Sequence, residues 1–250
     1  MTTLIDLEAT ERDAGTAPVR VGVAGLGYWG PNLVRNLYAI PGAEPAWICD
    51  PRPEPLERLG NRFPAVRQTR DFDEMLDDDT LDAVAIVTPV ATHFDLAMRG
   101  LEAGKHVYVE KPLASSSDDA LTLVRTADDG ELVLMPGHTF LYSPPVVRIR
   151  DVIRSGEIGE IHFISMSRVN LGLHQSDVSV VWDLGPHDFS ILLYWMDELP
   201  VDIVGMSRSC IMPGQDDILP FAGVRTGKIM ADGIGRDIPD VRLLPVNLNR

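Results

Sequence analysis

The chain is poor in positive charge. Its 250 residues carry 22 Lys and Arg against 37 Asp and Glu, a formal net charge of -15. A nucleic-acid-binding face needs a basic patch, so nucleic acid is excluded as a partner. Cysteine is nearly missing. Cys49 and Cys210 lie far apart, each in an apolar run. That excludes a disulfide framework and argues against a zinc site, and no metal site is expected. Both thiols read as small buried hydrophobes in a reducing cytoplasm. No apolar run approaches the ~18 residues of a membrane span, so no membrane partner is expected. Residues 1–17 lack the basic and apolar regions of a signal peptide and read as a flexible, acidic leader. Lysine is the scarcest basic residue: only Lys105, Lys111 and Lys228 occur. Where arginine supplies the surface charge, a lysine is the better candidate for a task arginine cannot do, such as proton transfer.

What is present is organised around Val19–Gly30. A short apolar run, Val21–Ala24, ends in Gly25, Gly27 and Gly30, which have the G-x-G-x-x-G spacing. Pro31 and a helix-period pattern follow, with Leu33, Val34, Leu37 and Ile40 on one face. In the order strand, turn, helix, the glycines have a mechanical use. Gly25 permits the turn, Gly27 lets the backbone approach a pyrophosphate, and Gly30 lets helix and strand pack closely. Strand and helix patterns then alternate to about residue 136. This predicts a Rossmann-type α/β domain over 18–137, with a doubly wound parallel sheet covered on both faces. From 138 the pattern changes. A helix near 144–155, a strand near 160–170, a helix over 184–196 and an extended run over 201–211 predict a partial α+β domain over 138–211. Its sheet is expected to be open and mainly antiparallel. Residues 212–250 read as an irregular tail with room for one strand. The cluster Asp77-Asp78-Asp79 reads as a solvated loop.

Candidate residues fall at the carboxyl ends of the predicted strands, where ligands of open α/β sheets bind. Asp50 ends the second strand, 25 residues after Gly25. A carboxylate there can hold both adenosine-ribose hydroxyls, which favours NAD; the plainer reading is an exposed loop carboxylate. Arg52 weakens the preference, because a nearby arginine can accommodate the 2′-phosphate of NADP. Thr88 and Pro89 end the fourth strand. His93, which opens the next helix, either reaches the cofactor pocket or sits in solvent. Glu110-Lys111-Pro112 ends the fifth strand, so Lys111 is expected toward the nicotinamide; a surface lysine is the alternative. Asp183 and His187 lie in W-D-L-G-P-H-D, four residues apart and on one helix face. An imidazole suits taking a proton from an alcohol. On spacing alone, an N-cap aspartate and a core histidine fit equally well.

Together, G-L-G-Y-W-G, T-P-x-x-x-H from Thr88 to His93, E-K-P, G-H-T-F-L-Y from Gly137 to Tyr142, and W-D-L-G-P-H-D resemble the Gfo/Idh/MocA oxidoreductases. This is the family of glucose–fructose oxidoreductase and inositol dehydrogenase, and the likeness is to its sugar-nucleotide branch. It covers about residues 18–211. The resemblance implies hydride transfer between NAD or NADP and a hydroxyl-bearing carbon of a sugar or sugar nucleotide. Lys111 matches the lysine that bonds the reacting hydroxyl, His187 the general base, and Asp183 its orienting partner. Gly25, Gly27, Tyr28, Trp29 and Gly30 match the pyrophosphate loop, and His138 a position lining the site. Cofactor binding is also expected of Asp50, Thr88, Pro89, His93 and Glu110. The second sheet often forms an oligomer interface in the family, so a homo-oligomer is expected. The stretch 212–250 departs from the family pattern, as a truncated or altered C-terminus would. This keeps open a rival reading, a non-catalytic NAD-binding remnant or regulatory protein.

Overall fold

A computed structural model describes residues 17–162, 164–167, 179–209, 218–226 and 246–247. They form two compact units that divide between Gly137 and His138.

The first unit is a six-stranded sheet. Its strands are β1 (Val19–Ala24), β2 (Ala43–Cys49), β3 (Arg67–Thr69), β4 (Ala83–Ile86), β5 (His106–Val109) and β6 (Leu134–Pro136), in the order β3-β2-β1-β4-β5-β6. Every neighbouring pair is parallel. The helices are α1 (Gly30–Ala39), α2 (Pro53–Arg62), α3 (Phe72–Leu76), α4 (His93–Glu102) and α5 (Ser117–Asp129). The strand order reverses between β1 and β4, the switch point where doubly wound sheets open a crevice.

Strand sequence explains why both faces are covered. Val84 and Ile86 of β4 and Val107 and Val109 of β5 pack with Met75, Ala97, Leu101 and Leu123, from α3, α4 and α5. The intervening Ala85 and Tyr108 turn to the other layer, with Val34 of α1 and Leu56 and Leu59 of α2. Side chains alternate along a strand, so an apolar run fills two cores at once. Each fully buried aliphatic side chain, such as Leu123, contributes about 1.5–3 kcal/mol. Cys49 belongs to this core, and burial followed by the charge of Asp50 pushes its thiol up to about 12. It is therefore an inert apolar side chain; Cys210 lies outside the described residues.

Two expectations are corrected here. Asp78 is not merely solvated. Its carboxylate accepts from the Trp47 indole at 2.8 Å, from the Thr80 hydroxyl at 2.6 Å and backbone N–H at 2.9 Å, and from Arg67 at 3.1 Å. Lys105, one of the three lysines, has a structural task. Its buried ammonium donates to the carbonyls of Asp78 and Leu81, at 3.0 and 2.9 Å. A compact three-donor cation on a thin stem suits two convergent carbonyls. The bonds from Thr80 and Trp47 hold the Asp78 carboxyl well below the usual carboxylate range. A carboxylate depressed on folding stabilises above its unfolded pKa of about 3.9, and that stability is lost as pH falls toward the folded value. Asp78→Asn is expected to lower the melting temperature at pH 7 by roughly 4 °C, what ~1 kcal/mol does to a domain of this size. The gap to the wild type should close as melts are repeated below pH 4. A constant gap would remove the charge from the explanation.

The second unit contains α6 (Pro144–Arg154), β7 (Met166–Ser167), α7 (Val180–Met196), β8 (Pro200–Arg208), β9 (Ile218–Thr226) and β10 (Val246–Asn247). β8 and β9 form an antiparallel pair, and β7 and β10 a short parallel one. β9 is a nine-residue strand inside the stretch that reads as an irregular tail from sequence. The strand expected over 160–170 is two residues long among the described residues. α7 starts four residues before the predicted Leu184. Its cap is Ser179, whose hydroxyl accepts from the Trp182 N–H at 3.3 Å. Asp183 is therefore not the cap, and Pro186 lies inside the helix. Proline supplies no N–H to the residue four back, a local cost that burial of Ile191, Tyr194 and Trp195 on the same helix offsets. No described helix is long and apolar enough to cross a membrane.

Candidate functional site

In the first unit, the glycine turn lies at the switch point, between the ends of β1 and β4. Gly25 has φ +93° and its N–H donates to the Cys49 carbonyl at 2.9 Å. A Cβ there would meet the Val87 carbonyl oxygen at 2.7 Å, so the turn needs glycine for conformation and for space. A Cβ on Gly30 would fall 2.1 Å from the Gly25 carbonyl oxygen, which is how closely α1 packs on the turn. At Gly27 nothing lies within 4 Å of the Cβ position. The turn thus encloses an open cradle.

The donors match that shape. α1 has no side-chain cap bond at its start. Among the described residues, the backbone N–H groups of Gly27, Tyr28, Trp29 and Gly30 have no protein acceptor. Unclaimed N–H groups at a helix N-terminus favour an anion. Tyr28 and Trp29 flank the cradle with their rings edge to face at 5.1 Å, 82% and 54% exposed, well outside any core. These residues fit a dinucleotide pyrophosphate.

Asp50 follows β2 beside the turn, but it is not the exposed carboxylate of the plainer reading. It is 2% exposed. One carboxylate oxygen accepts from the Leu26 N–H at 2.8 Å and from Arg52 Nη2 at 2.9 Å. The other accepts from the Arg52 N–H at 3.0 Å and Nε at 2.9 Å. Burial pushes the carboxyl up, but the bonds from Arg52 and Leu26 outweigh it and the net shift is downward. Asp50 therefore pins the glycine turn. Sequence reasoning missed this pinning. The Asp-Pro-Arg run was the available signal, since a side chain two residues on can fold back over a strand end.

Thr88, Pro89, His93, Glu110 and Lys111 cluster at the ends of β4 and β5. The Thr88 hydroxyl accepts from Thr92 at 2.7 Å. Glu110 donates its N–H to the Ile86 carbonyl at 2.9 Å, and its carboxylate accepts from the Tyr108 hydroxyl at 3.1 Å. The Lys111–Pro112 bond is cis. His93 is placed differently from both expectations. It is 1% exposed, with Nδ1 2.8 Å from the Pro112 carbonyl and Nε2 2.9 Å from the Thr88 carbonyl. No ring nitrogen is left for a cofactor. The imidazole instead bolts the Lys111–Pro112 loop to the end of β4. His93→Ala removes both contacts and opens a cavity, and should cost about 2–4 kcal/mol. Denaturant unfolding measures this, and a loss within experimental error would refute the bolt.

In the second unit, Asp183 and His187 lie one turn apart on α7. His187 is buried, its ring edge-on to Phe140 at 4.7 Å, and its carbonyl accepts from the Ser190 hydroxyl at 2.9 Å. His138 precedes the 3-10 turn that carries Phe140. Burial lowers its pKa, and among the described residues its Nδ1 has no hydrogen-bond partner. Arg150 of α6 lies over the Tyr194 ring at 3.8 Å, and the Trp195 indole donates to the Val146 carbonyl at 2.9 Å. These contacts lock α6 and α7 together and fix the face carrying His187. Among the described residues no group of three or more His, Cys, Asp or Glu could hold a metal ion.

Comparison with known proteins agrees with this geometry. Residues 19–138 match the family described as "Oxidoreductase family, NAD-binding Rossmann fold". The chain is 28% identical over 198 residues to scyllo-inositol 2-dehydrogenase (NAD(+)) of Bacillus subtilis (strain 168), covering 76% of this chain and 57% of that protein. It is 27% identical over 217 residues to UDP-N-acetylglucosamine 3-dehydrogenase of Acidithiobacillus ferrooxidans, covering 84% and 65%. Among solved structures it resembles GenD2 from gentamicin A biosynthesis in complex with NAD. The TM-score is 0.73 at 25% identity, over 91% of this chain and 70% of that one. The chain spans between 43% and 65% of the length of the curated relatives it matches.

Proposed function

We propose that this chain, whose residues 19–138 match the Gfo/Idh/MocA oxidoreductases, moves a hydride between nicotinamide and a hydroxyl-bearing carbon of a sugar or sugar nucleotide. The observation that carries this reading is the cradle at the switch point. It has an open space over Gly27, unclaimed N–H groups from Gly27 to Gly30, and Lys111 two strand ends away on the same sheet edge. Bound NAD supplies the hydride acceptor or donor. The chain's part is to hold the pyrophosphate on the glycine turn and the adenosine ribose beside Asp50. Lys111 bonds the reacting hydroxyl. His187 takes the hydroxyl proton in oxidation and returns it in reduction, and Asp183, one turn earlier, orients the imidazole or the substrate. The relatives named for inositol and UDP-sugar oxidation support a polyol or sugar substrate.

The test is a titration of the purified protein with NADH, followed by NAD with a panel of UDP-sugars, dTDP-sugars and inositols. Saturable NADH binding, with a change in nicotinamide absorbance for at least one substrate, is the expected result. Binding without turnover across the panel would leave the non-catalytic reading in its place.

A further inference from the structure

We propose that Tyr108 is a positioning residue of the dinucleotide site: it holds the Glu110 carboxylate as an acceptor for the hydroxyl donors of the cofactor's nicotinamide half. The role rests on the dinucleotide reading above and adds a residue outside the E-K-P run.

Side chains alternate along β5, so Val107 and Val109 fill one layer while Tyr108 turns to the layer that α1 covers. Glu110, two residues on, lies within its reach. The Tyr108 hydroxyl donates to Glu110 Oε2 at 3.1 Å. The backbone on either side is fixed. The Glu110 N–H donates to the Ile86 carbonyl at 2.9 Å, and the Gly137 N–H donates to the Val109 carbonyl at 2.7 Å. Only the side-chain torsions of Glu110 are left to place its carboxylate, and Tyr108 restrains those. A third residue provides the space. A Cβ on Gly137 would fall 2.5 Å from the Tyr108 hydroxyl and 3.0 Å from Glu110 Oε2. Gly137 is buried and does not have a positive φ, so glycine is needed there for room alone.

A phenylalanine would fill the same layer. What the hydroxyl adds is a bond to a carboxylate at the carboxyl edge of the sheet, where ligands of such sheets bind. A carboxylate has about four acceptor positions on its two oxygens. Tyr108 takes one on Oε2, and among the described residues no donor is bonded to Oε1. Glu110 is only half-buried, so a ligand can reach it. One oxygen is restrained and the other is open. The rotamer freedom of a long side chain is then lost on folding and not on binding, which is how a preoriented acceptor gains affinity.

Dissociation constants for NADH and for ADP, which lacks the nicotinamide half, test this in the wild type, Tyr108→Phe, Glu110→Ala and the double variant. Tyr108→Phe should weaken NADH by about 3- to 10-fold, the worth of one hydrogen bond, and leave ADP within about twofold. Its ring stays in place, so it should melt like the wild type. Glu110→Ala should weaken NADH at least as much. In that background Tyr108→Phe should cost nothing further, because a residue acting through Glu110 has nothing left to hold. Wild-type NADH affinity in Tyr108→Phe would overturn the role and leave the dinucleotide reading intact. Equal losses of NADH and ADP, or additive losses in the double variant, would also overturn it, showing that Tyr108 supports the sheet and not the carboxylate. If the wild type does not bind NADH, the dinucleotide reading fails and this role with it.

Discussion

Replacing Gly27 with alanine should leave the protein folded and weaken dinucleotide binding, whereas replacing Gly30 should damage both. The two glycines lie three residues apart in one turn, yet their surroundings differ completely. A methyl on Gly30 would sit 2.1 Å from the Gly25 carbonyl oxygen and 3.0 Å from its carbon. Gly25 cannot retreat, because its N–H is bonded to Cys49 and its left-handed conformation is set by the turn. The start of α1 must move instead, and overpacking of this kind costs about 1–3 kcal/mol or more. A methyl on Gly27 meets no protein atom within 4 Å. It costs the free protein nothing by contact, but it occupies the space a pyrophosphate needs to reach the N–H groups. NADH affinity should therefore fall by about 10- to 100-fold in Gly27→Ala, the loss of one or two charge-assisted hydrogen bonds. The melting temperature should stay close to the wild-type value. Thermal melts and NADH titrations on both variants measure this. Wild-type NADH affinity in Gly27→Ala would mean that the phosphates do not pass over that residue.

Lys111→Ala is expected to cost about 10²- to 10⁴-fold in turnover, the range for a positioned proton-transfer group, while NADH affinity stays within about twofold. Lys111 follows the fifth strand in a loop with two anchors. Glu110 is tied to Ile86 by its N–H, and the Pro112 carbonyl is held by His93. An ammonium on so constrained a backbone is presented and not left to wander. Lys111→Arg should rescue little, because a guanidinium stays protonated and is planar where a hydroxyl needs a compact donor. Steady-state turnover on any substrate that the panel finds decides the matter. Wild-type turnover in Lys111→Ala would remove the residue from the mechanism.

The site was partly legible in the sequence. Glycine spacing between an apolar run and a helix pattern is local information, and so is the position of Asp50 or Lys111 at the end of a run. What a side chain does there is not local. Asp50 was legible as a carboxylate at a strand end with Arg52 two residues on, but its partner Leu26 becomes visible only when β1 and β2 pair. His93 shows the same limit more sharply. Its place at a helix start allowed solvent or a cofactor, and the fold instead buries it between the carbonyls of Thr88 and Pro112, five and nineteen residues away. The sequence pattern predicts the helix from residue 184, while the capping hydroxyl belongs to Ser179 and Pro186 lies inside the helix.

The sequence by itself determined the alternating α/β architecture and the existence of a phosphate turn, since both follow from periods of two and 3.6 residues and from three glycines in a fixed frame. Only the tertiary structure decided that Gly27 faces open space while Gly30 faces backbone, that Lys105 is a structural lysine, and that Asp50 holds the Leu26 N–H. Those outcomes depend on which strand ends become neighbours, and β1 meets β4 across nearly sixty residues of chain. Spacing along the chain carries no record of that distance once the sheet has closed it.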